Sequence, residues 1–132
     1  MEASQFQFSK PRLLKLSYQE NQDFKRDSDT VEVPIEIKPT IHYNKRDTKA
    51  AVELKIKIGK KSEETPFVVV IVMGAKFRWE KDDFSEEIID KLLRKNAVSL
   101  LLSYARPIVA TVTSQSRYPT YDLPYIDLTK EE

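Results

Sequence analysis

The chain has 132 residues, 40% of them hydrophobic and 33% charged, and a net charge of +1 from 22 Lys and Arg against 21 Asp and Glu. This describes one domain over 1–132, long enough for a single core, with no whole-chain charge to attract nucleic acid or an anionic membrane. The lack of cysteine excludes a disulfide framework and thiolate chemistry, and having only Gly59 and Gly74 excludes a glycine-rich phosphate loop.

In residues 5–18, Phe6, Phe8, Leu14, Leu16 and Tyr18 share one parity and Gln5, Gln7, Ser9, Lys15 and Ser17 the other. The alternation predicts a half-buried strand, with Pro11 marking an edge or a bulge. Residues 21–30 form a polar connection in which Phe24 stands alone, either as a buried anchor or as an aromatic offered to a bound chain. Val31, Val33, Ile35 and Ile37 resume the alternation, and Ile41 and Tyr43 continue it past Pro39. Pro34 and Pro39 forbid regular pairing throughout, so an extended arm leading into a strand is predicted. His42, the single histidine, falls on the polar side with no second ligand at zinc-site spacing. A turn follows over 44–49.

Val52, Leu54, Ile56 and Ile58 alternate with Glu53, Lys55 and Lys57, the pattern of a half-solvated strand. A hairpin at 59–63 returns the chain through 67–73, FVVVIVM, which is apolar at every position. Such a run predicts cover on both faces, by a helix on one and by a partner or a neighbouring sheet on the other. Short polar turns predict an antiparallel meander, completed by 76–79, with Trp79 packing at the corner before the first helix.

That helix is predicted from Asp83, which has capping-box spacing to Glu86, with Phe84, Ile88, Ile89 and Leu92 as its apolar stripe. A bend near Asn96 leads into a long helix. Its apolar residues, including Ala97, Leu101, Tyr104, Ala105, Ile108 and Val109, cover most of the circumference and leave a narrow stripe of Ser99, Ser103, Arg106, Ala110 and Thr113. A helix of this kind needs cover on more than one side, from a sheet and from another helix of this chain or of a second copy. The run is too short and too interrupted by polar groups to span a membrane, and Pro107 predicts a kink. Residues 114–128 follow as an extended aromatic loop, with Tyr118, Tyr121, Leu123, Tyr125 and Ile126 set around Pro119 and Pro124.

No catalytic constellation emerges. His42 lacks supporting partners, and the pairs Asp82–Asp83 and Glu86–Glu87 lie at helix starts, where carboxylates suit the macrodipole. Basic residues alternate with acidic ones without a basic–aromatic motif for nucleic acid. No apolar signal-peptide core opens the chain, and a reducing cytoplasmic location is expected. A binding protein is therefore expected rather than an enzyme, with no metal and no cofactor. Its apolar surface exceeds what a lone small monomer covers, and grooves of this composition hold extended polypeptide, strand edges adding main-chain hydrogen bonds.

The segment from Leu101 onward resembles the SecB family of protein-export chaperones and its SecB-like relatives. Where that family's helix carries Leu-Phe-Pro-Tyr-Ala-Arg, this chain has Leu101-Leu102-Ser103-Tyr104-Ala105-Arg106. The family's Arg-Gly-x-Phe-Pro, apolar stretch and Pro-Val-Asn-Phe are matched by Gln115-Ser116-Arg117-Tyr118-Pro119, by Tyr121 and Leu123, and by Tyr125-Ile126-Asp127-Leu128. The correspondence has no gap from Tyr104 to Leu128, and the order of strands extends a weaker likeness back to Ser4.

The resemblance implies an α+β fold, a four-stranded antiparallel sheet with a long C-terminal helix and a short preceding helix on one face. It implies assembly as a dimer of dimers, and a holdase that keeps unfolded clients in surface grooves without ATP. By position the groove is formed by Phe24, Val31, Val33, Ile35, Ile37, Tyr118, Tyr121, Leu123 and Tyr125, and copies meet through Ala97, Leu101, Tyr104 and Ile108. Two departures qualify this. The family's second C-terminal helix has no counterpart before Thr129-Lys130-Glu131-Glu132. The acidic positions that dock the SecA motor fall on Lys15, Gln19 and Val70, which argues against SecA as partner. SecB-like relatives without that patch include chaperones of toxin–antitoxin systems, so an aggregation-prone antitoxin is the preferred client, with neither nucleic acid nor membrane as partner. The alternatives are an adaptor or inhibitor binding one folded protein, a small-ligand carrier, and an export chaperone that does serve SecA.

Overall fold

The computed structural model describes residues 6–25, 30–44 and 46–126. Gln5, Asp127, Leu128 and the final residues 129–132 lie outside them. One antiparallel sheet contains β1 (Gln7–Phe8), β2 (Arg12–Glu20), β3 (Ile35–Asn44), β4 (Lys49–Ile58) and β5 (Phe67–Arg78). The order is β1–β5–β4–β3, and β2 pairs with β5 beside β1. Pro11 cannot donate to the ladder, so the single strand predicted over 5–18 becomes two, and four expected strands are five.

The sheet is not the predicted simple meander. β3, β4 and β5 follow one another as hairpins, but β2 lies against β5, so the chain after β2 crosses to the far edge in Greek-key order. β2 also carries a bulge. Its register slips between Leu13 and Lys15, and Leu14 leans over Gly74, whose added Cβ would lie 2.7 Å from Leu14 Cδ1. The slip puts Leu13 rather than Leu14 on the side of Leu16 and Tyr18, which corrects the parity read from the sequence.

Register divides the sheet into two unlike faces. On the inner face Val52, Leu54, Ile56 and Ile58 pair with Ala75, Met73, Ile71 and Val69, all buried. On the outer face stand Arg12 and Lys15 of β2, Lys76 and Arg78 of β5, Lys49, Lys55 and Lys57 of β4, and Lys38 of β3, with Glu36 and Glu53 between them. Val68, Val70 and Val72 share that outer face, half-buried among their neighbours. The apolar run over 67–73 is therefore covered by helix on one face, and among the described residues no element of this chain lies over the other. His42 stands exposed on this face, 3.9 Å from Glu53.

The inner face lies under α1 (Glu86–Lys91) and α2 (Ala97–Ser114). Ser85, not Asp83, caps the start, its hydroxyl accepting from the Ile88 N–H at 3.2 Å. The backbone stays helical through Asn96. Leu92–Asn96 form a π turn, and Glu86–Ser114 is one continuous helix of 29 residues that passes through Pro107. By length and apolar content alone it could cross a membrane, more than the interrupted run suggested, but its buried side covers the sheet. That side is Ile89, Leu93, Ala97, Leu101, Ala105 and Val109, joined by Val98 and Leu102. Ile88 is exposed and Leu92 half-buried, so the predicted stripe of α1 is displaced by one position. The Tyr43 hydroxyl of β3 donates to Asp90 at 2.6 Å, and Arg94 donates to the same carboxylate at 2.9 Å, fastening the helix to the sheet edge. Burial and then the Asp90 carboxylate push the Tyr43 phenol pKa up. Trp79 is buried at the predicted corner, with Phe6 stacked on it and on Phe77.

Candidate functional site

The end of the inner face where β5 begins collects aromatic side chains from four segments. Tyr18, Val69, Ile58 and Ile35 form one cross-strand row, and Phe67 stands one step beyond it. The Phe67 ring lies 5.7 Å from Tyr18, 6.5 Å from Tyr118 and 6.3 Å from Tyr121, and Phe24 meets Tyr118 edge-on at 5.7 Å. The Arg117 guanidinium sits 5.4 Å from the centre of the Tyr118 ring, a cation–π contact. Burial raises the phenol pKa of Tyr18, offset in part by the Ser116 hydroxyl beside it, and burial raises that of Tyr121.

Local hydrogen bonds explain why these segments converge. Thr113 is fully buried, its hydroxyl donating to the Val109 carbonyl at 2.9 Å and accepting from the Tyr121 N–H at 2.9 Å. That bond folds the tail back over the helix end. Ser116 tightens the turn, donating to Thr113 O at 2.6 Å and accepting from the Tyr118 N–H at 3.2 Å. On the other side Asn21 Nδ2 donates to the main-chain oxygens of Thr65 at 2.7 Å and Lys60 at 2.8 Å, and the Asn21 N–H donates to Pro66 O. The Phe24 N–H returns to Asn21 O, which sets the ring against Tyr118. Asn21→Ala removes the Nδ2 bonds to Thr65 O, Thr65 Oγ1 and Lys60 O, of which Lys60 O keeps the Thr65 hydroxyl as donor, so it should cost about 1–3 kcal/mol in urea unfolding, with Asn21→Asp no better because it also lacks the donors.

The groove residues read from the sequence separate into groups. Phe24, Tyr118 and Tyr121 are brought together. Val31, Val33, Ile35 and Ile37 are half-buried along the arm and the start of β3, at the same end of the sheet. Tyr125 projects, 84% exposed. Leu123 is corrected: at 1% exposure it closes the core, since the tail hooked on Thr113 turns this side chain inward, and it is not open to a client. Of the expected oligomer contacts, Ala97 and Leu101 are corrected likewise, because both face the sheet inside the protomer. Tyr104, at 41% exposure, and half-buried Ile108 face outward with Leu100 on the other side of the helix. Leu13 and Leu16 on the edge strand β2 are also exposed.

The reading from sequence missed Phe67, taken as part of a uniformly apolar strand, and Tyr18, Asn21 and Thr113. Thr113 sits one turn beyond Val109 in a row of buried residues spaced by four, a signal that its polarity concealed. The described residues hold no cluster of three metal-ligating side chains, and no hydrogen-bonded nucleophile and base are assembled. The arrangement offers half-covered aromatic and aliphatic surface beside the strand edges of β2 and β3. Such a surface takes up apolar side chains and main-chain amides.

No protein-family model and no curated protein matches the chain. Among solved structures it resembles a Mycobacterium tuberculosis SecB-like chaperone in complex with a ChAD peptide from the HigA1 antitoxin, with TM-score 0.74 and 16% identity over 92% of this chain and 91% of that one. It also resembles a Streptococcus agalactiae protein of unknown function, with TM-score 0.52 and 13% identity over 94% of this chain and 100% of that one. The fold is SecB-like.

Proposed function

We propose that this chain is an ATP-independent chaperone of the SecB-like kind, holding non-native polypeptide on the surface formed by Phe24, the 31–37 arm and strand, Tyr118, Tyr121 and Tyr125. The observation that carries the proposal is the ring cluster at Phe67, left half-covered on a fold whose solved neighbour is a chaperone with an antitoxin peptide. That neighbour favours a dedicated client, an aggregation-prone antitoxin, over a broad export role. Lys15, Gln19 and Val70 on the outer face, none of them acidic, further argue against delivery to SecA. An adaptor for a single folded partner remains the second reading, favoured by the outward stripe of Leu100, Tyr104 and Ile108. In the chaperone reading that stripe, with Leu13 and Leu16, is where copies join as a dimer of dimers in the cytoplasm.

The test is suppression of aggregation of an unrelated unfolded protein without ATP, beside a Tyr118→Ser, Tyr121→Ser, Tyr125→Ser variant of verified fold and mass. Suppression by the natural protein that falls by about tenfold in the variant is the expected result, since each buried aromatic contact contributes roughly 1 kcal/mol or more. Suppression that survives in the variant moves the surface elsewhere. No suppression at any ratio favours the adaptor.

A further inference from the structure

The outer face of the sheet segregates charge. It carries the eight Lys and Arg side chains named above against Glu36 and Glu53, while the whole chain has a net charge of only +1, so the rest of the molecule is net acidic. Among the described residues, none of those eight cations forms a salt bridge; Glu53 faces His42, and the other ion pairs lie at Lys60–Glu64 and Asp90–Arg94. A solvated sheet face needs polar residues but not one sign of charge. Lysines that blunt an edge strand belong on edges, whereas Lys55, Lys57 and Lys76 are on the two central strands. Like charges held this close repel, and they raise the local concentration of an oppositely charged partner.

Shape adds to the charge. Val68, Val70 and Val72 form an apolar spine along β5, and Val70 and Val72 pair across with Lys57 and Lys55. At one end of the sheet, Lys49, Lys76, Arg78 and His42 line a concavity of about 660 Å³ whose wall contains no carboxylate, and Gln7 Oε1 accepts from Arg78 at 2.8 and 3.2 Å, fixing the guanidinium. By register the strand aromatics Phe8, Tyr18, Tyr43, Phe67 and Phe77 belong to the inner face; Phe8, Tyr43 and Phe77 reach the wall of the end concavity, but along the valine spine no ring offers bases a platform. Its exposed large apolar side chain at the rim is Leu14, a single leucine at the β2 bulge and not the row of apolar anchors that enters a lipid surface. The valine spine calls for an apolar complement as well as an anionic one.

We propose that the outer face of the sheet is a docking surface for an acidic polypeptide segment, extended along β5, with small apolar residues on Val68–Val72 and carboxylates on the flanking lysines and Arg78. It is separate from the aromatic surface on the inner face and does not depend on the chaperone reading. The probe is a short fluorescein-labelled peptide alternating glutamate and valine, followed by anisotropy on the full chain at low and physiological salt. Saturable binding that weakens with salt is expected. It should weaken by about tenfold or more in Lys55→Glu with Lys76→Glu, both exposed and far from the core, while Lys55→Arg with Lys76→Arg stays within about twofold. Replacing every valine of the peptide by serine should weaken binding by about fivefold. The Tyr118→Ser, Tyr121→Ser, Tyr125→Ser variant should bind the peptide unchanged. Absence of saturable binding, binding indifferent to the charge reversal or to the serine peptide, or tighter binding of an oligothymidylate or of phosphatidylserine vesicles would overturn the proposal.

Discussion

Gly59→Ala is expected to destabilise the protein by about 3 kcal/mol, lowering its melting temperature by roughly 10 °C. Gly59 ends β4 at φ +83, where an L side chain costs about 1–2 kcal/mol, partly offset by about 0.4–1 kcal/mol from a less flexible unfolded chain. Geometry adds a second cost. A Cβ here would lie 2.0 Å from the Phe67 carbonyl oxygen, and main chain at the head of a central strand cannot rotate away as a side-chain tip can. The shift would also disturb the Gly59 N–H bond to Pro34 O, which anchors the arm to the sheet. Gly74→Ala is the control. Its Cβ crowds only the tip of Leu14, an exposed and flexible side chain, with Glu53 Cγ in ordinary contact at 3.6 Å, and Gly74 lacks a positive φ, so the cost should stay under about 1 kcal/mol. Thermal melts of the two variants side by side check the contrast, and equal losses would show that the strand junction yields more readily than its geometry implies.

Leu101→Ala should cost about 3–5 kcal/mol in chemical denaturation, with the slope of the transition unchanged. Leu101 is 0% exposed at the middle of α2, inside the cluster shared by β4 and β5, so truncation both forfeits apolar burial and leaves a void in a close-packed layer. Tyr104, three residues on, points outward and should cost under about 1 kcal/mol as alanine in a dilute monomer. A larger loss at Tyr104 that grows with protein concentration would mean that a second copy covers it. A small loss at Leu101 would contradict its position in the core.

These contrasts also mark how far the sequence could be read. The alternation of Val52, Leu54, Ile56 and Ile58 specified β4 and its buried face without help, because a period of two admits one reading. The position of β2 beside β5 was not legible, since pairing between segments distant in the chain leaves no local pattern. Leu14 misled because a bulge reverses parity with no change in composition. At the candidate site, Phe24, Tyr118 and Tyr121 were found as aromatics isolated in polar or proline-rich segments. Leu123 had the same setting and the opposite fate, decided by the hydrogen bonds between the Tyr121 main chain and the Thr113 hydroxyl. Ala97 and Leu101 were assigned to a partner because a helix apolar all round does not say which of its sides meets the sheet.

The π turn at Leu92–Asn96 has a consequence for phase. Ile89, Leu93, Ala97, Leu101, Ala105, Val109 and Thr113 are buried at intervals of four, and in a regular α-helix each such step drifts about 40° around the axis. Over the whole row that drift would carry one end well away from the sheet. A π turn advances by a smaller angle per residue and takes back part of it, keeping Ile89 and Val109 on a common side. Removing one residue from this turn would leave each half intact as a helix and set the two halves out of step, so that Tyr43 could no longer hold Asp90 while Leu101 filled the core.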